Sequence, residues 1–83
     1  MKEYYVYIVE CSDHTYYTGY TSHLEKRIET HNLGKGAKYT RARRPVQLVY
    51  YEIYDDLSLA LKREYAIKQL TRKQKEELIQ FKR

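Results

Sequence analysis

From Tyr4 to Cys11 nearly every side chain is aromatic, β-branched or otherwise apolar, and both alternating sets (Tyr5, Tyr7, Val9 and Tyr4, Val6, Ile8) share that character. A strand with two apolar faces must be covered on both, so this segment is expected at the centre of a sheet with helices on either side. Ser12-Asp13-His14-Thr15 supplies turn chemistry, and Tyr16 to Tyr20 returns as a second strand to complete a β-hairpin. Ser22 followed three residues later by Glu25 matches a capping box, and Gly34 is a natural stop, which predicts a helix over roughly His23 to Leu33. At about 100° per residue, Leu24, Ile28 and His31 fall in one arc with Arg27 at its edge, while Glu25, Lys26, Glu29 and Thr30 face away. Val46 to Tyr54 reads as a third strand, with Pro45 at its start, where a missing N–H does least harm. Asp55 or Asp56 caps a second helix with a buried stripe of Leu57, Ala60, Leu61 and Ile67, and Glu64 lands inside that stripe, about 40° from Ala60. Thr71 with Gln74 marks the start of a third helix from Arg72 to Phe81, with Leu78, Ile79 and Phe81 available to pack. The pattern therefore predicts an α+β fold in the order β-β-α-β-α-α, a three-stranded antiparallel sheet flanked by helices.

Eighty-three residues are expected to form one domain, residues 1–83, near the lower size at which a core holds without disulfides or metal clips. Cys11 is the only cysteine, which excludes an intramolecular disulfide and favours a reducing, cytoplasmic setting. No apolar run is long enough to span a bilayer and no signal-peptide pattern opens the chain, so no membrane partner is expected. The net charge is +5, and five basic residues, Lys35, Lys38, Arg41, Arg43 and Arg44, fall in one stretch free of acids. Such a stretch attracts polyanions, with nucleic acid the commonest inside a cell, although a plain solvated loop has the same composition. Eleven tyrosines stand against one phenylalanine and no tryptophan. Most of them, including Tyr4, Tyr16, Tyr50, Tyr51 and Tyr54, are read as packing rings with polar tips, and nothing in their spacing marks a platform for unpaired bases.

Tyr7, Tyr17, Arg27 and His31 are the candidates for chemistry, because each side chain can handle a proton or a developing negative charge, as phosphodiester cleavage requires. Each also has a plainer reading. A histidine on an apolar face is commonly a satisfied core residue, and an arginine at the edge of an arc commonly snorkels. Glu64 is a carboxylate in an apolar stripe, so it either pairs with a cation, Arg27 or a nearby lysine, or binds a metal. Side chains alternate along a strand, so Tyr7 and Tyr17 share a face only if the hairpin loop has an odd effective length, which is the arrangement predicted here. No Cys/His cluster suggests zinc.

The ordered set Tyr5-Val6-Tyr7, Tyr17-Thr18-Gly19, Arg27, His31, Gly34-Lys35-Gly36-Ala37-Lys38-Tyr39-Thr40-Arg41 and Ala60-Leu61-Lys62-Arg63-Glu64 resembles the GIY-YIG nuclease superfamily. More narrowly it is similar to that superfamily's short, single-domain bacterial members, and the likeness runs from Tyr4 to Ile79. It implies a metal-dependent endonuclease acting on DNA, with branched or damaged DNA in repair as one setting. A catalytically weak nucleic-acid-binding module is the alternative, and a protein-interaction domain the plainest one. By the resemblance Tyr17 is the base or orienting phenol that activates water, Arg27 steadies charge on the phosphate, His31 assists proton movement, and Tyr7 hydrogen-bonds in the same site. Glu64 would hold one Mg²⁺ or Mn²⁺, completed by waters and a substrate phosphate. Gly19 would leave room for the backbone to approach substrate, or simply end its strand.

Two departures accompany the likeness. Tyr5 replaces the glycine of the family name, and the asparagine that follows the metal glutamate in many active relatives is missing. The only asparagine is Asn32, so that place is vacant or falls to Lys68 or Gln69. Lys35, Lys38, Arg41, Arg43 and Arg44 are the expected phosphate contacts, with DNA favoured over RNA and a protein partner or a second copy of the chain left open. Tyr39 reads as structural, and Arg72, Lys73 and Lys75 as a solvated face. With no appended DNA-binding domain, target choice is expected to come from the basic stretch, a partner or DNA structure.

Overall fold

A computed structural model describes residues 2–82. Strand β1 (Tyr4–Glu10) lies between β2 (Tyr16–Thr21) and β3 (Gln47–Tyr54), antiparallel to both, in the sheet order β2-β1-β3. Its central place follows from its two apolar faces: Val6, Tyr7, Ile8 and Val9 are all fully buried. The helices are α1 (Leu24–Asn32), a single turn α2 (Lys38–Arg41), α3 (Leu57–Lys68) and α4 (Arg72–Lys82). The order is the expected one, with α2 added inside the basic stretch.

The sheet separates two cores. On one face Val6, Ile8 and Tyr50 pack against Ala60, Ile67 and Ile79 of α3 and α4. On the other, Tyr7, Val9, Cys11 and Val46 pack with Tyr17, Leu48 and the α1 residues Leu24 and Ile28. The hairpin loop between Glu10 and Tyr16 is closed by two backbone bonds, Cys11 N–H to Thr15 O and His14 N–H to Cys11 O. His14 adopts φ 65°, and the Asp13 carboxylate accepts from the Thr15 amide and hydroxyl. This odd loop sets Tyr7 opposite Gly19 and Val9 opposite Tyr17, so Tyr7 and Tyr17 lie on one face.

Several local expectations change. Ser22 and Glu25 form no capping box: the N-cap is His23, without a side-chain bond, and the preceding Thr21 hydroxyl takes the His23 amide instead. Asp56 does cap α3, accepting from the Ser58 amide at 2.7 Å, and Thr71 and Gln74 bond reciprocally at the start of α4. Leu57 and Leu61 lie outside the buried stripe, and Phe81 is 91% exposed. A sheet of three strands is narrow, so α3 buries only the line through Ala60 and Ile67, and α4 ends beyond Ile79 with nothing beneath Phe81.

A charged cluster braces β3 to α3. Arg63 donates to both carboxylate oxygens of Glu52, at 2.9 and 3.0 Å, and the Tyr50 and Tyr54 hydroxyls donate to the same carboxylate. Burial alone would raise the Glu52 pKa, but these donors outweigh it and hold the carboxyl below its usual range. Among the described residues no helix is long and apolar enough to cross a membrane.

Candidate active site

The shared face of β1 and β2 faces α1, and that geometry brings four of the chosen side chains together. Tyr7 and His31 meet through a 2.7 Å hydrogen bond between the phenol oxygen and Nε2, and both are fully buried. Arg27, one turn earlier on α1, donates from Nε to the Tyr7 oxygen at 3.3 Å and from Nη2 to the Gly36 carbonyl at 3.1 Å. These two bonds fix the guanidinium plane, and Nη1 has no partner among the described residues. The Tyr17 ring meets the His31 ring edge-on, with centroids 5.3 Å apart, and its hydroxyl makes no hydrogen bond among the described residues.

The protons on this network can be assigned from the bonding. Thr40 accepts from or donates to His31 Nδ1 at 2.8 Å, and its hydroxyl proton is directed to the Ala37 carbonyl at 3.2 Å. Its oxygen is therefore the acceptor and Nδ1 carries the hydrogen. At the other end, the Tyr7 oxygen already accepts from Arg27, and its own buried O–H needs an acceptor, which bare Nε2 supplies. Burial first, and then the Arg27 charge, push the His31 pKa down to about 4, so the ring is neutral at pH 7. Burial raises the Tyr7 phenol, opposed by Arg27 and reinforced by the charges of Tyr17 and Glu64.

Two glycines make room for this pair. A Cβ on Gly19 would stand 2.6 Å from the Tyr7 oxygen, so the space left by the missing side chain is filled by the Tyr7 phenol. A Cβ on Gly36 would stand 2.4 Å from His31 Nδ1 and 2.9 Å from its Cα.

Glu64 is mostly buried, with its side chain 16% exposed, and its Oε2 lies 3.3 Å from Lys68 Nζ. Of the two partners the sequence suggested, it is the lysine and not Arg27 that pairs with it. Asn32 is committed elsewhere: its amide accepts from the Val46 N–H at 2.7 Å and donates to the Val46 carbonyl at 3.1 Å. A divalent ion would find one half-buried carboxylate here, since no group of three or more His, Cys, Asp or Glu converges among the described residues. That donor set suits a hydrated Mg²⁺, which keeps most of its waters and takes few protein ligands.

The basic residues divide into two groups. Arg43 bonds to Asp13 and to the Tyr39 carbonyl and lies 4.0 Å over the Tyr39 ring, while Arg44 bonds to the Arg41 and Asn32 carbonyls. Lys35, Lys38 and Arg41 are exposed, and their side chains have no partner among the described residues. The Tyr39 ring stacks on Tyr17 with centroids 6.0 Å apart and also carries the Arg43 guanidinium, 4.0 Å from its centroid. The inward side of this stretch thus touches three site residues: Gly36 holds Arg27, Tyr39 backs Tyr17, and Thr40 bonds His31. Gly36 and Thr40 were missed by sequence reasoning, for a four-residue helix shows no period and only the closeness of Gly36 to Gly34 hinted at a tight approach. Arg72 likewise has a structural task, stacking on Tyr16 and donating to the His14 carbonyl. A groove of about 1040 Å³ lined by Tyr5, His23, Leu24, Ile28, Tyr51 and Ile53 runs beside α1, but none of the site residues lines it.

Comparison with known proteins places this chain in a nuclease family. The family model of the GIY-YIG catalytic domain matches residues 3–77, and the chain belongs to the GIY-YIG family. It is similar to a UPF0213 protein from Bacillus cereus (strain ATCC 10987 / NRS 248), 66% identical over 74 residues that cover 89% of this chain and 77% of that relative. A UPF0213 protein from Staphylococcus haemolyticus (strain JCSC1435) is 56% identical over 80 residues, covering 96% of this chain and 98% of the relative. Among solved structures, the solution NMR structure of a UPF0213 protein from Bacillus halodurans matches with a TM-score of 0.64 and 46% identity, over 96% of this chain and 85% of that one. A second, from E. faecalis, gives 0.66 and 43%, over 98% and 86%.

Proposed function

We propose that this chain is a metal-dependent endonuclease that hydrolyses phosphodiester bonds in DNA. The observation that carries the reading is that the guanidinium of Arg27, fixed by two bonds, and the ring of Tyr17, whose hydroxyl is unbonded among the described residues, are both set against the buried Tyr7–His31 pair. An arginine held by two bonds, with Nη1 free, is preorganised to meet a phosphate as negative charge builds on it. Tyr17 is the phenol placed to orient or deprotonate the attacking water. Arg27 and a bound cation are the available sources of positive charge for the anion that this step develops. Tyr7 and His31 are fully buried with their polar atoms engaged. Their part is to position Arg27 and the Tyr17 ring, and contact with substrate falls to Tyr17 and Arg27. Glu64 is the residue that would hold a single Mg²⁺ or Mn²⁺, which when bound neutralises phosphate charge and makes water more acidic. Lys68 has to give up its ion pair for that to happen. Lys35, Lys38 and Arg41 supply phosphate contacts on the outer side of the basic stretch, with Arg43 and Arg44 as its internal braces.

The test is Mg²⁺- or Mn²⁺-dependent cleavage of a panel of branched, nicked, duplex and single-stranded DNA, with RNA for comparison. Cleavage that falls by about 100-fold or more in Arg27→Ala, and that is lost in Glu64→Ala, is the expected result. Salt-dependent binding with no cleavage of any substrate would leave a nucleic-acid-binding module. The Lys68 ion pair on Glu64 favours that second reading.

A further inference from the structure

Thr40 is one of the few polar side chains in the structure that is fully buried, and it lies on the turn of helix that interrupts the basic stretch. Among the described residues its hydroxyl is the only partner of His31 Nδ1, and its proton is assigned to the Ala37 carbonyl of its own turn, 3.2 Å away. The backbone of α2 thus dictates which way this hydroxyl points, and the hydroxyl dictates which nitrogen of His31 carries hydrogen. From there the order is forced: bare Nε2 takes the Tyr7 proton, the Tyr7 lone pair is turned to Arg27 Nε, and the guanidinium is seated with its second bond on Gly36. The opposite tautomer would present an N–H to the Tyr7 hydroxyl. Tyr7 would then accept from both neighbours, with its own proton unpaired in a closed core, an arrangement that loses a full buried hydrogen bond.

We propose that Thr40 is a positioning residue of the site: its hydroxyl locks His31 in the Nδ1–H tautomer and, through Tyr7, sets the orientation of Arg27. The catalytic consequence rests on the nuclease reading above, whereas the tautomer itself does not. Gly36 adds a geometric constraint, since a Cβ at this position would stand 2.4 Å from His31 Nδ1.

The experiment is long-range ¹H–¹⁵N correlation spectroscopy of the ¹⁵N-labelled full chain near pH 7, which reports the protonated nitrogen of His31 directly. The wild type is expected to show Nδ1–H alone, Thr40→Ser to keep it, and Thr40→Val to give a mixture, because without Thr40 either tautomer leaves one buried donor unpaired, the Nδ1–H in one and the Tyr7 hydroxyl in the other. Tyr7→Phe removes the other partner of the ring and is expected to leave Nδ1–H in place, because Thr40 is still present. A wild-type ring in the Nε2–H form, a tautomer unchanged in Thr40→Val, or one that switches in Tyr7→Phe would each overturn the proposal. If Thr40→Val does not fold, the wild type, Thr40→Ser and Tyr7→Phe still decide it. Where cleavage is measurable, Thr40→Val is expected to lower kcat by about tenfold or more with KM little changed, and Thr40→Ser to restore it, as for other groups that orient a site residue from behind. An equal loss in both variants, or a change confined to KM, would refute the positioning role. Absence of cleavage in the wild type would count against the nuclease reading alone.

Discussion

Gly36 carries more of the site than its missing side chain suggests. An added methyl would meet the Cα of His31 at 2.9 Å as well as the ring, so no side-chain rotation relieves it and the backbone has to move. Gly36→Ala is expected to destabilise the fold by about 2 kcal/mol and to break the Arg27 bond to the Gly36 carbonyl, with urea denaturation and the Arg27 side-chain NMR signal as readouts. His31 makes a separate prediction in pH. Burial and the Arg27 charge hold it down to about 4 from an ordinary 6.5. Between those values the folded chain binds fewer protons than the unfolded one, so stability is full above pH 6.5 and declines as the pH falls towards 4. The whole gap corresponds to roughly 3 kcal/mol. Denaturation curves from pH 7 to 5, above the range where most carboxylates titrate, should show a falling limb in the wild type that is flat in His31→Gln. An equal limb in both would mean that the ring is not held neutral.

Among the elements, the union of β3 with α3 depends on a charge pair, and one half without the other is worse than neither. Arg63→Met leaves the Glu52 carboxylate, 14% exposed, without its cation and is expected to lose about 3 kcal/mol, whereas adding Glu52→Gln should recover part of that loss. Additive single and double variants in thermal unfolding would show the pair to be uncoupled. Arg63 directly precedes Glu64, so the same substitution should also loosen the carboxylate proposed for the metal. The strands, the shared face of Tyr7 and Tyr17, a cap at Asp55 or Asp56 and the cap at Thr71 were legible in the sequence, since alternation, an odd loop and an Asx or Thr side chain act over a few residues. The Tyr7, Arg27 and His31 part of the site was legible for the same reason, as strand parity and helical spacing place those side chains on facing surfaces. Ser22 was misread because Thr21, one residue earlier, closes the same turn. Leu57 and Leu61 were misread because a helical wheel does not report how wide the supporting sheet is. Thr40 and Glu52 were given no role, for His31 and Arg63, the partners that tie them into the fold, come from other elements through contacts that no period encodes.

For the molecule as a whole, the +5 charge matters through where it is free to act. Replacing Lys35, Lys38 and Arg41 together by alanine is expected to weaken binding to duplex or branched DNA about equally across sequences. It should also lower the salt slope of log K by roughly one for each residue removed. Titrations from 50 to 200 mM salt would test this, and an unchanged slope would place the binding surface elsewhere. Thermal stability should change little in that variant, because none of the three side chains is bonded to the rest of the fold. The clasp of Asn32 on the Val46 backbone has a consequence of its own. One amide side chain imitates a neighbouring strand and ties the two ends of residues 33–45 together, while the inward bonds of Gly36 and Thr40 hold the middle of this excursion against the site. The outward charges of the excursion can be exchanged without strain reaching β3, and added length must bulge away from the sheet. The surface proposed to meet a polyanion can thereby change while the residues beneath it stay put.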